Sequence, residues 1–366
     1  MAAKEKSKTK KKKAWWQKLI IFAVVVLCIW LIGHFAFQYF SGVITENLTS
    51  IAESEKYIEN GNEKIKIGTY FEDIDTILNQ SLELSKLAYD PENKSEDRNE
   101  ELKALGYENI KHYNNKPSQL YKSLAHKNKK GAVMLSAVNA TVATKKLDNG
   151  KTMIAIAFKG TDSSNINDAL SDMYKAIDKD GFHKGFMFNA KQFYKKSDKV
   201  KFVIDGETVT LTQVLEEMKK DDSKYKMLVT GHSLGAAVAD IYSGYFLNND
   251  KIKSNNIVTV TYGTPKSCAK DFEYNGNNII NIINTDDMVP TIGAEKHIGT
   301  CLYFTPSEKF RKANYGKHYV TPNSYNSYSD LIKTAESSLV AHNLVFSYTP
   351  LVSEIESNHA NYFTES

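Results

Sequence analysis

The sequence predicts an α/β fold, with a mainly parallel central sheet flanked by helices and a single N-terminal transmembrane helix before it. Three observations support this prediction. Strand-like and helix-like segments alternate after residue 118, which is the pattern of α/β domains. A short apolar strand at 226–230 turns sharply into a helix rich in small residues. Residues 19–37 are almost wholly apolar, as a membrane-spanning helix requires.

The N-terminus combines a basic tail with this apolar run. Residues 1–18 contain eight lysines and one glutamate, and the 19 residues that follow would span about 28 Å as a helix. The lysines should hold the N-terminus in the cytoplasm and place the rest of the chain outside, which we expect to be a bacterial cell envelope. The alternative is a cleaved secretion signal. The apolar run is long for one, and no small-x-small cleavage site precedes Ser41.

Four regions follow from these patterns: a basic cytoplasmic tail (1–18), a transmembrane anchor (19–40), a stalk (41–66) and one large domain (67–366). The whole chain carries a net charge of +4 and the tail +7, so the remainder carries −3 and shows no basic face for nucleic acid. Three cysteines do not make a disulfide framework, and no metal-binding spacing is present. We therefore expect neither a metal nor another cofactor.

Within the domain, the first predicted helix covers 72–89, and residues 91–118 are interpreted as loop. Residues 132–145 and 151–158 should be neighbouring strands around the turn at 148–150. These strands form the antiparallel N-terminal portion of the sheet.

A second group of elements surrounds the sharp turn. Residues 201–204 and 207–210 predict a hairpin, and Thr210 with Gln213 predicts a capping box for the next helix. The strands at 257–262 and 278–283 should extend the parallel sheet.

The sharp turn has the G-x-S-x-G pattern of a nucleophile elbow, with Gly231 and Gly235 on either side of Ser233. Strand and helix converge at such a turn, so the flanking positions must be nearly free of side chains. The Leu234 N–H, at the start of the helix, would face an oxygen that becomes negative during acyl transfer. A second N–H is expected from Thr161, after the strand that ends at Phe158 and Gly160.

A serine nucleophile needs a histidine base that a carboxylate orients, and in such sheets both follow the serine in the chain. Asp286 and Asp287 come directly after the strand at 278–283. We interpret Asp286 as a solvated turn residue and choose Asp287 as the acid.

Four histidines follow the acid and are candidates for the base. His297 is only ten residues from Asp287, and His318 lies in a polar stretch. His342 sits in an apolar, helix-like run, and His359 lies near the chain end beside apolar residues. The chemistry of the residues alone leaves His342 and His359 open.

Several stretches resemble the class 3 (fungal-type) lipases of the α/β-hydrolase superfamily. They are Phe-Lys-Gly-Thr at 158–161, Phe-His-Lys-Gly-Phe at 182–186, Gly-His-Ser-Leu-Gly at 231–235, Tyr-Gly-Thr-Pro at 262–265 and Asp-Met-Val-Pro at 287–290. Lys159 departs from the arginine usual in this family.

The resemblance implies a triad of Ser233, Asp287 and a C-terminal histidine, with Thr161 and Leu234 as oxyanion donors. It ranks His359 first, because residues 359–363 resemble the family's ending, and His342 second; His297 corresponds to a non-catalytic position. Residues 166–174 are either an amphipathic lid or a packed surface helix.

These expectations predict a membrane-anchored serine hydrolase that acts outside the cytoplasm on carboxylic esters of lipids, as a lipase or phospholipase. The alternative is a hydrolase fold that has lost catalysis and serves as a surface binding or scaffold protein.

Overall fold

A computed structural model describes the chain from residue 57 onward, with gaps. The described residues are 57–59, 65–67, 71–89, 95–114, 139–160, 177–274, 276–315, 338–358 and 362–365. They belong to one compact unit, residues 54–366. None of the helices in these ranges is both long and apolar enough to cross a bilayer. The predicted tail (1–18) and anchor (19–40) lie outside the described residues.

The described strands are β1 Tyr57–Glu59, β2 Ile65–Ile67, β3 Tyr107–Asn114, β4 Asn139–Lys146, β5 Thr152–Phe158, β6 Lys201–Ile204, β7 Glu207–Thr210, β8 Tyr225–His232, β9 Ile257–Tyr262, β10 Ile279–Asn284, β11 Thr300–Phe304 and β12 Phe363–Glu365. The described α-helices are α1 Ile74–Leu87, α2 Ser95–Ala104, α3 Lys184–Tyr194, α4 Leu211–Glu217, α5 Leu234–Ile241, α6 Glu308–Asn314 and α7 Thr349–Ser357. Two short π-helices adjoin these helices: Tyr242–Leu247 continues α5, and Leu344–Tyr348 leads into α7.

An eight-stranded sheet, in the order β1-β11-β10-β9-β8-β5-β4-β3, forms the centre of the domain. The strands from β1 to β5 in this order run parallel, whereas β4 and β3 are antiparallel. The predicted mainly parallel sheet with an antiparallel N-terminal portion is therefore confirmed.

The central strands are apolar along their whole length because both faces of the sheet are covered. Every residue of β5, β8, β9 and β10 is buried. Helices α1 and α7 pack on one face, and α3, α4 and α5 pack on the other. This layering explains why the sequence shows continuous apolar runs in these strands rather than alternation.

Local signals in the sequence place several elements correctly. Asp73 caps α1, with its carboxylate accepting the Thr76 N–H at 2.8 Å. Thr210 and Gln213 form the predicted reciprocal capping box of α4. The hairpin β6–β7 turns at Asp205 and Gly206, both with positive φ.

The predicted loop at 91–118 was wrong, since it contains α2 and β3. Helix α2 has little apolar character and docks through Leu102, which is fully buried, and through Arg98, which donates to the Leu87 carbonyl at 3.1 Å. Strand β3 is interrupted by a bulge near Asn109, whose φ is 51°. Because the bulge breaks the alternation of apolar and polar residues, the sequence pattern gave no strand signal there.

The end of the predicted stalk (41–66) also forms strands. Strand β1 pairs with β11 in the central sheet, and β2 pairs with β12 near the C-terminus. The domain therefore begins before residue 67. These strands are three residues long and pair with segments distant in the chain, so local sequence carries little trace of them.

Asp240, near the end of α5, is fully buried, and neither carboxylate oxygen has a hydrogen-bond partner among the described residues. Burial raises the pKa of its side chain well above the usual value of 3.8. The carboxyl group is therefore protonated in the folded domain at pH values where the unfolded chain has already lost the proton.

We expect Asp240→Asn to increase the stability of the domain at alkaline pH. A raised folded-state pKa means that the contribution of Asp240 to stability is most favourable below 3.8 and is lost as pH rises toward the folded pKa. The amide variant lacks this loss, so its advantage should grow with pH by at most about 1.4 kcal/mol per unit. Urea unfolding between pH 5 and 9 measures this, with the exposed Asp198→Asn as control. An advantage that does not change with pH would contradict the assignment.

Candidate active site

The candidate site lies where four parallel strands end side by side. The register pairs Phe158 with Gly231 and His232 with Tyr262, so the carboxyl ends of β5, β8 and β9 are level. Ligands in open α/β sheets bind at this edge. The residues that follow β5, β8, β9 and β10 there are Gly160, Ser233, Gly263 and Asp287.

Ser233 has the strained backbone of a nucleophile elbow. Its φ of 58° and ψ of −132° fall in a region that residues other than glycine rarely adopt, at a cost of about 1–3 kcal/mol. A Cβ at Gly231 would lie 2.6 Å from the backbone of Gly235, and a Cβ at Gly235 would overlap the carbonyl of Phe158. The two glycines thus allow the strand and the helix to meet, as the sequence pattern requires.

Gly263 connects the elbow with the acid–base pair. The Ser233 N–H donates to the Tyr262 carbonyl at 3.0 Å, which fixes the turn against the end of β9. The next residue, Gly263, has a φ of 57°. A Cβ there would lie 2.8 Å from Asp287 Oδ2 and 3.0 Å from His342 Nδ1. Only glycine provides both this conformation and this space.

Asp287 and His342 form a buried hydrogen-bonded pair. His342 Nδ1 lies 2.7 Å from Asp287 Oδ2, and the two residues are 3% and 2% exposed. The other carboxylate oxygen, Oδ1, accepts the Val289 N–H at 2.9 Å. These bonds hold the carboxylate in one orientation.

This pair leaves the histidine in the form that a general base needs. With Asp287 as the acceptor, the proton of a neutral ring lies on Nδ1 and the lone pair on Nε2. His342 Nε2 is buried and has no hydrogen-bond partner among the described residues. His232, the residue before Ser233, lies against the His342 ring, with the two centroids 4.4 Å apart and the rings tilted by 32°. The free nitrogen therefore belongs to a ring that lies beside the elbow.

Tyr348, which the sequence analysis missed, also contacts the acid. Its hydroxyl donates to Asp287 Oδ2 at 2.8 Å. Burial and the nearby Asp287 charge raise the pKa of this hydroxyl well above 10, so it remains a donor. Tyr348 lies at the end of a π-helix in an apolar run, where nothing in the sequence distinguishes it from a packing residue.

Asp286 has a different role from its neighbour. Arg311 binds it through two hydrogen bonds of 2.7 Å each, and both side chains are mostly buried. The expectation of a solvated turn residue was wrong, because α6 brings a guanidinium to this turn. The choice of Asp287 over Asp286 agrees with the contacts, since Asp287 alone reaches the imidazole.

Among the candidate histidines that lie within the described residues, only His342 meets Asp287. His342 occupies the carboxylate, whereas His297 Nε2 lies 2.8 Å from the Thr264 carbonyl. His359, the first choice from the sequence, and His318 lie outside the described residues. The local sequence around His342 predicted a packed histidine, and His342 is buried. Only the tertiary structure shows that Asp287 is its partner.

The oxyanion donors are only partly described. Leu234 is the first residue of α5, so its N–H has no acceptor within the helix. Gly160 is described, but Thr161 and the predicted lid (166–174) lie outside the described residues. Within the described ranges, no group of three or more His, Cys, Asp and Glu side chains could hold a metal ion.

Comparison with known proteins finds a family model that matches part of the chain. Residues 155–297, which hold the elbow and Asp287, match the model of the family described as lipase (class 3). The predicted resemblance to class 3 lipases is confirmed. The triacylglycerol lipase OBL1 of Ricinus communis is 25% identical over 123 residues, which cover 29% of this chain and 23% of the relative. The chain thus matches about a quarter of that lipase's length.

Solved lipase structures overlap with the chain in part. The Rhizomucor miehei lipase propeptide complex is 22% identical, with a TM-score of 0.38 over 58% of this chain and 61% of its own. The lipase from Rhizopus microsporus var. chinensis is 17% identical, with a TM-score of 0.40 over 68% and 83%.

We expect His342→Ala to lower kcat for ester hydrolysis more than about a thousandfold, because it removes the base that Asp287 orients. His359→Ala should leave kcat within about twofold, since His342 already occupies the carboxylate. Initial rates on a p-nitrophenyl ester compare the two variants. A large loss for His359→Ala with a small one for His342→Ala would reverse the assignment.

Proposed function

We propose that this protein is a membrane-anchored serine hydrolase of lipid carboxylic esters, with Ser233, His342 and Asp287 as its triad. The class 3 lipase match supports ester hydrolysis in general. The single observation that carries the proposal is the buried Asp287–His342 pair beside a strained serine elbow. In acyl transfer, such a carboxylate orients the imidazole that acts as the general base for the serine.

In this mechanism His342 Nε2 takes the proton of Ser233 as the hydroxyl attacks the ester carbonyl. Asp287 stabilises the imidazolium that results, and Tyr348 holds the carboxylate in place by donating to the same oxygen, Oδ2. The Leu234 N–H and a second donor at Thr161 would hold the oxyanion. His342 then gives this proton to the leaving alcohol as the ester C–O bond breaks, and an acyl-enzyme remains on Ser233. In the second half of the reaction His342 takes a proton from the attacking water and gives it to the Ser233 oxygen as the carboxylic acid leaves.

Lipids are the proposed substrates for two reasons. The family is a lipase family, and the apolar run at 19–37 would hold the domain close to a bilayer on the extracytoplasmic side. Glycerides and phospholipids both carry carboxylic esters. A panel of the two classes, tested with the full chain in mixed micelles, would distinguish a triacylglycerol lipase from a phospholipase.

We expect Ser233→Ala to abolish hydrolysis of p-nitrophenyl esters and labelling by a fluorophosphonate probe, because only an activated serine reacts with the probe. The loss of rate should exceed about a thousandfold. Ser357→Ala, which changes an exposed serine of α7, is the matched control and should keep both properties.

Two results would contradict this proposal. Full activity in Ser233→Ala would place the chemistry elsewhere. A wild-type chain that neither hydrolyses esters nor reacts with the probe would favour the alternative, a surface binding or scaffold protein on a hydrolase fold.

The membrane anchor gives a separate expectation. The full chain should stay in the membrane fraction after carbonate extraction, and a protease added outside the cell should digest the domain, because residues 19–40 would span the bilayer. Deletion of 1–40 should release the domain. Mass spectrometry that finds a mature N-terminus after residue 37 would instead show a cleaved signal.

A further inference from the structure

Two polar side chains outside the triad and one backbone carbonyl meet beside the imidazole of the proposed base. The side chains are Tyr89, two residues after α1, and His232, at the end of β8, and the carbonyl is that of His342. His232 is the variable residue of the G-x-S-x-G pattern and precedes the nucleophile. Neither Tyr89 nor His232 takes part in the mechanism described above.

Hydrogen bonds fix the protonation of the His232 ring. Its Nε2 lies 2.7 Å from the His342 carbonyl oxygen, which can only accept, so Nε2 carries the proton. Its Nδ1 lies 2.8 Å from the Tyr89 hydroxyl. Burial and the neighbouring His342 lower the pKa of His232 well below 6.5, so the ring is neutral and Nδ1 accepts the Tyr89 proton.

The same ring lies over the imidazole of the base. The His232 and His342 centroids are 4.4 Å apart, with an interplanar angle of 32°. During acyl transfer His342 becomes positively charged, and a second cation at this distance would repel it. A neutral His232 can cover this face of the imidazolium and exclude water without adding charge.

Tyr89 also lies against Gly160, in the turn after β5. Its hydroxyl lies 3.3 Å from the His232 carbonyl, and a Cβ at Gly160 would overlap that hydroxyl. Gly160 therefore leaves room for Tyr89 beneath the end of β5. One hydroxyl thus contacts both the elbow and the turn after β5.

We propose that Tyr89 and His232 form a positioning pair, in which Tyr89 selects the His232 tautomer and His232 holds the backbone and ring of His342 against the nucleophile elbow. This inference rests on the proposed triad. Without the Tyr89 hydroxyl, His232 could carry its proton on Nδ1, and the lone pair of Nε2 would then face the His342 carbonyl. The base would lose its link to the elbow although the Asp287 bond remained.

Steady-state kinetics of the full-length chain on a p-nitrophenyl ester test the pair. Tyr89→Phe should lower kcat about threefold to tenfold with KM within about twofold, as expected when one hydrogen bond is lost. His232→Phe keeps a ring without donors and should lower kcat about 10- to 100-fold. His232→Gln restores an N–H donor and should recover part of this loss.

Matched controls separate positioning from packing. Tyr194→Phe removes a hydroxyl that bonds to Asp250, a hydrogen bond separate from those of Tyr89, His232 and His342, and should leave kcat unchanged. The double variant Tyr89→Phe/His232→Phe should be no slower than His232→Phe, because Tyr89 acts through the His232 ring. Independent, multiplicative losses would overturn the pair. So would wild-type kcat in both single variants.

A spectroscopic measurement on the wild-type chain covers the case in which a variant fails to fold. The groups that face His232 are Tyr89, His342 and Tyr348, whose ring lies 5.8 Å away, and Asp287 acts through His342. In ¹⁵N-histidine NMR, His232 should remain a neutral Nε2–H tautomer from pH 8 to pH 5.5. A protonated ring or an Nδ1–H tautomer in this range would overturn the proposal.

Failure of this inference can be distinguished from failure of the proposed function. If Ser233→Ala is inactive while Tyr89→Phe and His232→Phe match wild type, the triad stands and the positioning pair does not. If Ser233→Ala retains activity, the serine mechanism itself is wrong.

Discussion

The close contact between the end of β8 and the start of α5 is the constraint on which the site depends. A Cβ at Gly231 would overlap the backbone of Gly235, and a Cβ at Gly235 would overlap the carbonyl of Phe158. Any side chain at either glycine would separate the helix from the sheet. The contact forces Ser233 into a strained conformation, and the surrounding buried strands supply the packing that maintains it.

A parallel sheet then brings distant parts of the chain to this turn. The ends of β9 and β10 place Gly263 and Asp287 beside the elbow. The C-terminal segment adds His342 and Tyr348, both of which bond to the same carboxylate oxygen. A buried carboxylate is costly unless its oxygens are hydrogen-bonded, and Asp287 meets this condition with three donors.

Two buried carboxyl groups of the domain, Asp287 and Asp240, differ in their hydrogen-bond partners. Asp287 is fully supplied with donors and orients an imidazole. Asp240, only seven residues after Ser233, has no partner among the described residues, and burial raises its pKa. The first arrangement serves catalysis in the proposed mechanism, whereas the second lowers stability at high pH. Burial alone therefore does not identify a functional carboxylate.

Much of the fold could be read from local patterns. The apolar runs of β5, β8 and β9, the capping residues Asp73 and Thr210, and the glycine–aspartate turns are short-range signals, since each depends on neighbours within a few residues. Strands β1, β3 and β11 left weak signals, because they are short, bulged or stabilised by partners far along the chain.

The sequence by itself singled out the proposed nucleophile and the proposed acid, because Ser233 and Asp287 come shortly after the strands that position them. The tertiary structure alone decided which imidazole meets Asp287. His342 is 55 residues from the acid and lies just before the π-helix Leu344–Tyr348, not at the end of a described strand. The tertiary structure alone also decided the partners of Tyr89, His232 and Tyr348. Their hydrogen bonds join residues between 61 and 143 positions apart, and no local pattern records a contact made over such a distance.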